Sequence, residues 1–381
     1  YYAPKNFNFW YYFGVFSLVT LVIQVLSGIF LTMNYIPSGA DAFNSVEYIM
    51  RDVEYGWLLR YIHTTGASAF FLVVYLHMFR ALMYGSYQKP RELIWVFGML
   101  IYVALMAEAF MGYMLPWGQM SYWGAQVIIS LFGAIPVIGP DLALWVRGDF
   151  VVSEVTLNRF FALHVVAVPL AIIFLVVAHI LALHEVGSNN PDGVEIKKKK
   201  DANGKPLDGI PFHPYYSVKD LAGIAVYLIL FSVVLFYMPD FFGYFIEAPN
   251  FEPANPQVTP DHIAPVWYFA AFYAMLRAVQ DAFGGVLVMG AAVIVPFFLP
   301  WIDRAKVHSI RYRGFAFKVA LMIFALAFIM LTYLGTQPAS TLYTALARIG
   351  TLIYFAYFGF LFVYTFFEWE QTRPVPERVT S

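Results

Sequence analysis

Four histidines lie inside long apolar stretches, His63 and His77 in one, His164 and His179 in another. An ionisable side chain is costly in hydrocarbon, so it turns toward the interior of a helix bundle and marks function. The first two are 14 residues apart. In an α-helix that spacing is a rise of about 21 Å, about 40° short of four turns, so both rings leave one face at well-separated depths. The second two are 15 apart, about 60° beyond four turns, and Pro169 between them offers a kink to absorb the offset. One imidazole from each helix at each depth would fill both axial positions of a haem iron, leaving no place for oxygen; that is electron-transfer chemistry. The plainer reading, core histidines satisfied by neighbours, has to explain two pairs at matched depth.

Glycines repeat the same interval: Gly14 and Gly28, then Gly98 and Gly112, are each 14 apart. A flat macrocycle between helices needs cut-away walls, which a residue without Cβ supplies, although small residues also serve plain helix packing. Arg60 stands three residues outward of His63, Arg80 three inward of His77, and Arg159 outward of His164. Their guanidinium groups suit propionate partners or, alternatively, lipid headgroups.

These residues need long helices to carry them. Apolar runs able to cross about 30 Å of hydrocarbon extend from Phe13 to Tyr35, Trp57 to Tyr84, Leu93 to Leu115, Leu157 to Leu183, Leu221 to Met238, Ala282 to Trp301, Phe315 to Leu334 and Ile349 to Phe367. Shorter runs, Gln126 to Gly139 and Trp267 to Val279, are expected to lie at the membrane interface. The predicted fold class is an all-α membrane protein of eight transmembrane helices, with spans one to four forming a four-helix bundle that holds the histidines. Basic residues follow spans two (Lys89, Arg91), four (Lys197 to Lys200) and six (Arg304, Lys306, Arg311, Arg313), and the tail adds Arg373 and Arg378. Such residues stay cytoplasmic, which puts both termini inside. Spans two and four then place His63 and His164 near the outer side, His77 and His179 near the inner.

Composition agrees: of 381 residues 61% are hydrophobic and only 12% charged, with mean hydropathy +0.66, where a soluble domain has about 25% charged. The net charge of -1 gives no attraction for nucleic acid, and the run Lys197 to Lys200 reads as a solvated loop. There is no cysteine, which excludes disulfides, thiolate metal sites and covalently attached haem. The chain opens at Tyr1 without a secretion signal, and native residues are expected upstream.

Five stretches carry a resemblance: GYMLPWGQMSYWGA (Gly112 to Ala125), RFFALH (Arg159 to His164), LHEVGSNNP (Leu183 to Pro191), PFHPYYSVKD (Pro211 to Asp220) and PVWYF (Pro265 to Phe269). Over essentially its whole length the chain resembles cytochrome b of ubiquinol-cytochrome c oxidoreductase, in its eight-span respiratory form. The resemblance implies two non-covalent haem b groups, the low-potential one on His63 and His164 and the high-potential one on His77 and His179. It implies quinol oxidation at an outer site of Gly124, Pro265, Trp267, Tyr268 and Tyr273, and quinone reduction at an inner site of His184, Lys219 and Asp220. Tyr268, Tyr273, His184 and Asp220 would act in catalysis. Residues 1–216 would hold the haems, and 217–381 would complete the outer site. A Rieske iron-sulfur protein, a cytochrome c-type subunit, membrane lipid and a second copy are the implied partners, in a bacterial inner membrane.

The family's outer motif is usually Pro-Glu-Trp-Tyr, yet position 266 is Val. The carboxylate assigned to proton exit is missing, and either Asp261 or His262 replaces it or water suffices. A cytochrome b anchor of a membrane dehydrogenase, with one quinone site, and a transporter are the competing readings; the motif clusters on opposite sides argue against the anchor, and a transporter would show no visible absorption.

Overall fold

The computed structural model describes residues 1–380. Its helices are α1 (Tyr12–Thr32), α2 (Ala42–Arg51), α3 (Gly56–Tyr84), α4 (Glu92–Met114), α5 (Gln119–Gly133), α6 (Gly139–Arg147), α7 (Glu154–Ala162), α8 (Val168–Val186), α9 (Ser217–Tyr237), α10 (Trp267–Ala278), α11 (Ala282–Ile294), α12 (Leu299–Ile302), α13 (Phe315–Thr336) and α14 (Thr341–Phe366). Eight helical stretches are long and apolar enough to cross a membrane, one at each expected span. They expose large apolar side chains such as Phe174 (71%), Leu230 (62%) and Ile329 (64%). Water would make such surfaces costly, and lipid accommodates them.

Local chemistry sets several boundaries. Ser153 caps α7 reciprocally with Thr156, Asp281 accepts from the Gly284 N–H at the start of α11, and Ser340 from the Tyr343 N–H at the start of α14. Such caps contribute about 1 kcal/mol each. Span eight therefore begins at Thr341, before the expected Ile349, because its first turns carry polar residues on an otherwise apolar helix.

In the histidine-bearing half, α1 packs along α3 and α4 along α8. Among the described residues α3 and α8 are not a closely packed pair, and histidines reach into the space between them.

The expected interfacial helices differ from those observed. Instead of a run from Gln126 to Gly139, α5 begins at Gln119 and breaks around Pro136, and Gly139 opens α6. Helix α10 is packed inside the protein rather than laid along its surface. Its Ala270, Ala271, Ala274 and Met275 are essentially inaccessible, and it packs against α13, α14 and α11. Its small residues explain this: a Cβ on Gly335 of α13 would fall 1.8 Å from the Ala270 carbonyl oxygen, so the two backbones touch.

A two-stranded antiparallel ribbon, β1 (Tyr2–Pro4) with β2 (Gly209–Pro211), ties the N-terminus to the loop after α8. On that face Asp192 accepts hydrogen bonds from Asn6, Arg311, Tyr312 and Thr380. Arg91 pairs with Glu195, and buried Arg313 with Asp303 and Glu370. The N-terminal segment, the loops after spans two, four and six, and the tail thus share one face, as alternate loops must. Lys197 to Lys200 are exposed there.

Candidate functional site

The imidazoles of His63 and His164 face each other with centroids 6.2 Å apart and planes at 87°; those of His77 and His179 are 6.5 Å apart at 67°. Two imidazoles that share one metal at ordinary ligand distances have their centroids about 6 Å apart, so both separations would suit a metal-bearing group held between the rings. The Nδ1 atoms are engaged elsewhere. His164 Nδ1 lies 2.9 Å from the Glu108 carbonyl and His179 Nδ1 2.9 Å from that of Ile94. A carbonyl can only accept, so Nδ1 carries the proton in both rings and Nε2 keeps the free lone pair a metal needs. His63 Nδ1 meets Ser27 Oγ at 2.9 Å, and His77 Nδ1 has the Arg80 guanidinium at 3.5 Å.

How can spacings of 14 and 15 end in register? Leu163–Ala167 form a π turn, closed by the Val168 N–H bonding to the Leu163 carbonyl. A π turn takes up about one residue more than an α turn. The offset expected to go into a kink at Pro169 is absorbed there.

Each glycine of the two pairs abuts one imidazole. A Cβ would lie 3.2 Å from His77 at Gly14, 3.3 Å from His63 at Gly28, 3.4 Å from His179 at Gly98 and 2.4 Å from His164 at Gly112. Arg80 packs its guanidinium over the Tyr11 ring, 4.7 Å from the centroid, and its buried Nε has no partner. An orphaned donor beside the inner pair suits an acidic substituent of a bound group. Arg60 donates to Thr64. Arg159 is not brought to the pair: it is exposed and donates to the Trp145 carbonyl at 2.6 Å.

Gly124, Pro265 and Tyr273 line a narrow slot together with Tyr113 and Val266. At about 30 Å³ it is tight. Trp267 lines the adjoining outer cavity of about 770 Å³, as do Asp261 and His262. Tyr268 stacks on Phe71 with centroids 4.0 Å apart and lies behind the slot. Towards the other face, His184 is exposed and stacks on Tyr1 at 5.0 Å, and Tyr1 in turn meets Phe212. Lys219 leans on Tyr215 and Tyr216, and Asp220 stands in the first turn of α9. Among the described residues no hydrogen bond or ion pair joins His184 to Asp220.

Two acids were missed in the sequence. Glu108 Oε1 lies 3.0 Å from His164 Nδ1; a lone acid inside a span is itself a signal. Glu247, in an outer loop, accepts from the Tyr113 hydroxyl at 2.5 Å. Burial pushes its carboxyl up to about 7, against the lowering effect of that hydrogen bond.

Comparison with known proteins accounts for this arrangement. The family model "Cytochrome b/b6/petB" matches residues 1–187, and "Cytochrome b(C-terminal)/b6/petD" residues 253–355. Cytochrome b of Allochromatium vinosum is 59% identical, covering 100% of this chain and 93% of that protein. Cytochrome b of Rickettsia prowazekii is 48% identical over 99% of this chain and 92% of its own. A solved chain of a hyperthermophilic respiratory complex III superposes with TM-score 0.90 at 39% identity, covering 97% of this chain and 94% of that one. Matches to both halves, on a fold that sets paired imidazoles against glycines, make this chain a member of the cytochrome b family, the electron-transferring catalytic membrane core of complex III.

Proposed function

We propose that the chain carries electrons between two b-type haems, an outer one held by His63 and His164 and an inner one held by His77 and His179. The observation that carries this reading is the geometry at each depth: two opposed imidazoles about 6 Å apart, each against a glycine without Cβ. Bound there, each haem supplies a centre that takes up and gives off one electron. The chain's own residues do the rest. The glycines clear the walls, the carbonyls of Glu108 and Ile94 fix two of the ring tautomers, and Arg80 offers an unpaired donor. Residues 1–216 provide this part, and 217–381 complete the outer slot.

In this reading quinol is oxidised in the slot of Gly124, Pro265 and Tyr273, with Trp267 and Tyr268 beside it. Quinone is reduced near His184, Lys219 and Asp220, where His184 relays protons and Asp220 holds or protonates a quinone oxygen. The shared face of the N-terminus, basic loops and tail supports a cytoplasmic location for both termini in a bacterial cell membrane. A Rieske protein and a cytochrome c-type subunit complete the circuit, in a homodimer of the complex embedded in lipid.

Replacement of His179 by Leu in the complex tests the assignment. A reduced-minus-oxidised spectrum is expected to show two b-type components in the parent and only the outer one in the variant. A parent preparation without visible absorption would end the proposal.

A further inference from the structure

Val266 leaves the quinol-oxidising slot with no carboxylate of its own, and it is buried there at 4% exposure. Three side-chain hydroxyls line the slot. Ser121 Oγ donates to the Tyr113 carbonyl at 2.6 Å, and the Tyr273 hydroxyl to the Ile263 carbonyl at 3.3 Å. Neither carbonyl can take up a proton. The third, Tyr113, donates to Glu247 Oε2 at 2.5 Å. Glu247 in turn lines the cavity of about 770 Å³ on the outer side, so this one pair of side chains joins the apolar slot to the outer medium.

We propose that Tyr113 and Glu247 are the proton exit of the outer site. The proposal rests on the quinol-oxidising reading of the slot and adds to it the group that receives the proton. Oxidation of one quinol to quinone frees two electrons and two protons. The electrons leave to the two acceptors of the proposed circuit, and the protons leave one at a time. Tyr113 passes its own proton to Glu247 while taking the quinol's, and Glu247 unloads into the cavity before the next transfer. The phenol stays neutral throughout, because it exchanges protons and never has to ionise.

The loop that carries Glu247 is held for this purpose. The Ser121 N–H donates to Asn250 Oδ1 at 2.9 Å. The Gln119 N–H donates to the Glu252 carbonyl, and the Ala254 N–H to that of Trp117, each at 3.0 Å. Thus α5, which also lines the slot, fixes the acid's position. Around Glu247 stand Tyr113 from α4, Tyr268 from α10, Tyr244 and Glu252 from its own loop, and Asp261 and His262 across the cavity. No Lys or Arg lines that cavity among the described residues. Without a cation to keep it ionised, and with a carboxyl poised at about 7, Glu247 both accepts and releases protons near neutral pH. His262 is less suited, since its Nε2 lies 3.1 Å from the Thr336 carbonyl and helps anchor the loop to α13.

The test uses the assembled complex in membranes, with decylubiquinol as donor and cytochrome c as acceptor, assayed from acid to alkaline pH. Only ionised Glu247 accepts a proton, so the parent's rate is expected to rise with pH through a midpoint near 7. Glu247→Gln and Tyr113→Phe should each slow the reaction at neutral pH by about tenfold or more and abolish that acid limb. Glu247→Asp should restore the limb, and unchanged haem spectra would show that the variants are folded. The double variant Asp261→Asn, His262→Asn should keep the limb. A Glu247→Gln profile superimposable on an active parent, or loss of the limb only in the double variant, would overturn the relay alone. A parent unable to oxidise the quinol would instead overturn the reading beneath it.

Discussion

At the outer histidine pair, His164 Nδ1 lies 3.0 Å from a carboxylate oxygen of Glu108; at the inner pair, His77 Nδ1 lies 3.5 Å from the guanidinium of Arg80. The plan is otherwise repeated, with similar ring separations and a glycine against every ring. Arg60 also stands near the outer pair, where it donates to Thr64, but among the described residues an acid meets a histidine only at the outer pair. A negative neighbour favours the oxidised, more positive state of a metal centre, and a positive neighbour favours the reduced state. With a haem at each pair, as proposed, the two surroundings would set a downhill direction from the outer centre to the inner. Paired sites need not differ in their ligands to differ in potential, because the neighbours of the ligands suffice.

The largest effect should come from the tightest wall. A Cβ at Gly112 would sit 2.4 Å from His164 Cε1, whereas one at Gly98 would sit 3.4 Å from His179 Cε1. Gly112→Ala is expected to displace the outer imidazole and remove most of the outer b-type signal, and Gly98→Ala should retain the inner one. Equal losses in reduced-minus-oxidised spectra would mean that the glycines serve helix packing alone.

Next is the inner cation. With its buried Nε unpaired, Arg80 holds its charge against the inner pair. Arg80→Gln should lower the inner midpoint potential by on the order of 100 mV, since a nearby charge in a protein contributes a few kcal/mol and each 1.4 kcal/mol is about 59 mV for one electron. Potentiometric titration measures it directly. An unmoved inner potential would show that the asymmetry arises elsewhere.

Much of this site was legible because membrane helices write their geometry into sequence. Hydrophobic length gave the eight spans, and the 14-residue interval placed rings and glycines on facing walls. What escaped depends on contacts distant in sequence. The π turn at Leu163–Ala167 cannot be told from a proline kink by spacing alone. Helix α10 is no longer than an interfacial helix, and only its fit against Gly335 shows that it is buried. Glu247 meets Tyr113 across 134 residues, in a loop with no periodicity to announce it. Arg159 shows the converse: it lies near the right ligand in sequence, but the end of α6 claims it, through the Trp145 carbonyl.

Glu108 provides the smallest and most discriminating change. Gln has nearly the same shape and can still accept through its amide oxygen, so Glu108→Gln removes the charge while keeping the space filled. His164 Nδ1 also retains the Glu108 main-chain carbonyl at 2.9 Å, which holds the ring orientation and limits the effect. The outer potential should rise by on the order of 50 mV, the share left for one charge-assisted contact once the neutral one persists, and the inner potential should stay where it is. The gap between the two centres would narrow and electron transfer from outer to inner would lose driving force, the opposite-end counterpart of Arg80→Gln. If the outer potential falls instead, the carboxylate is not the source of the outer centre's lower potential, and the downhill direction must be set by something other than the charges beside the ligands.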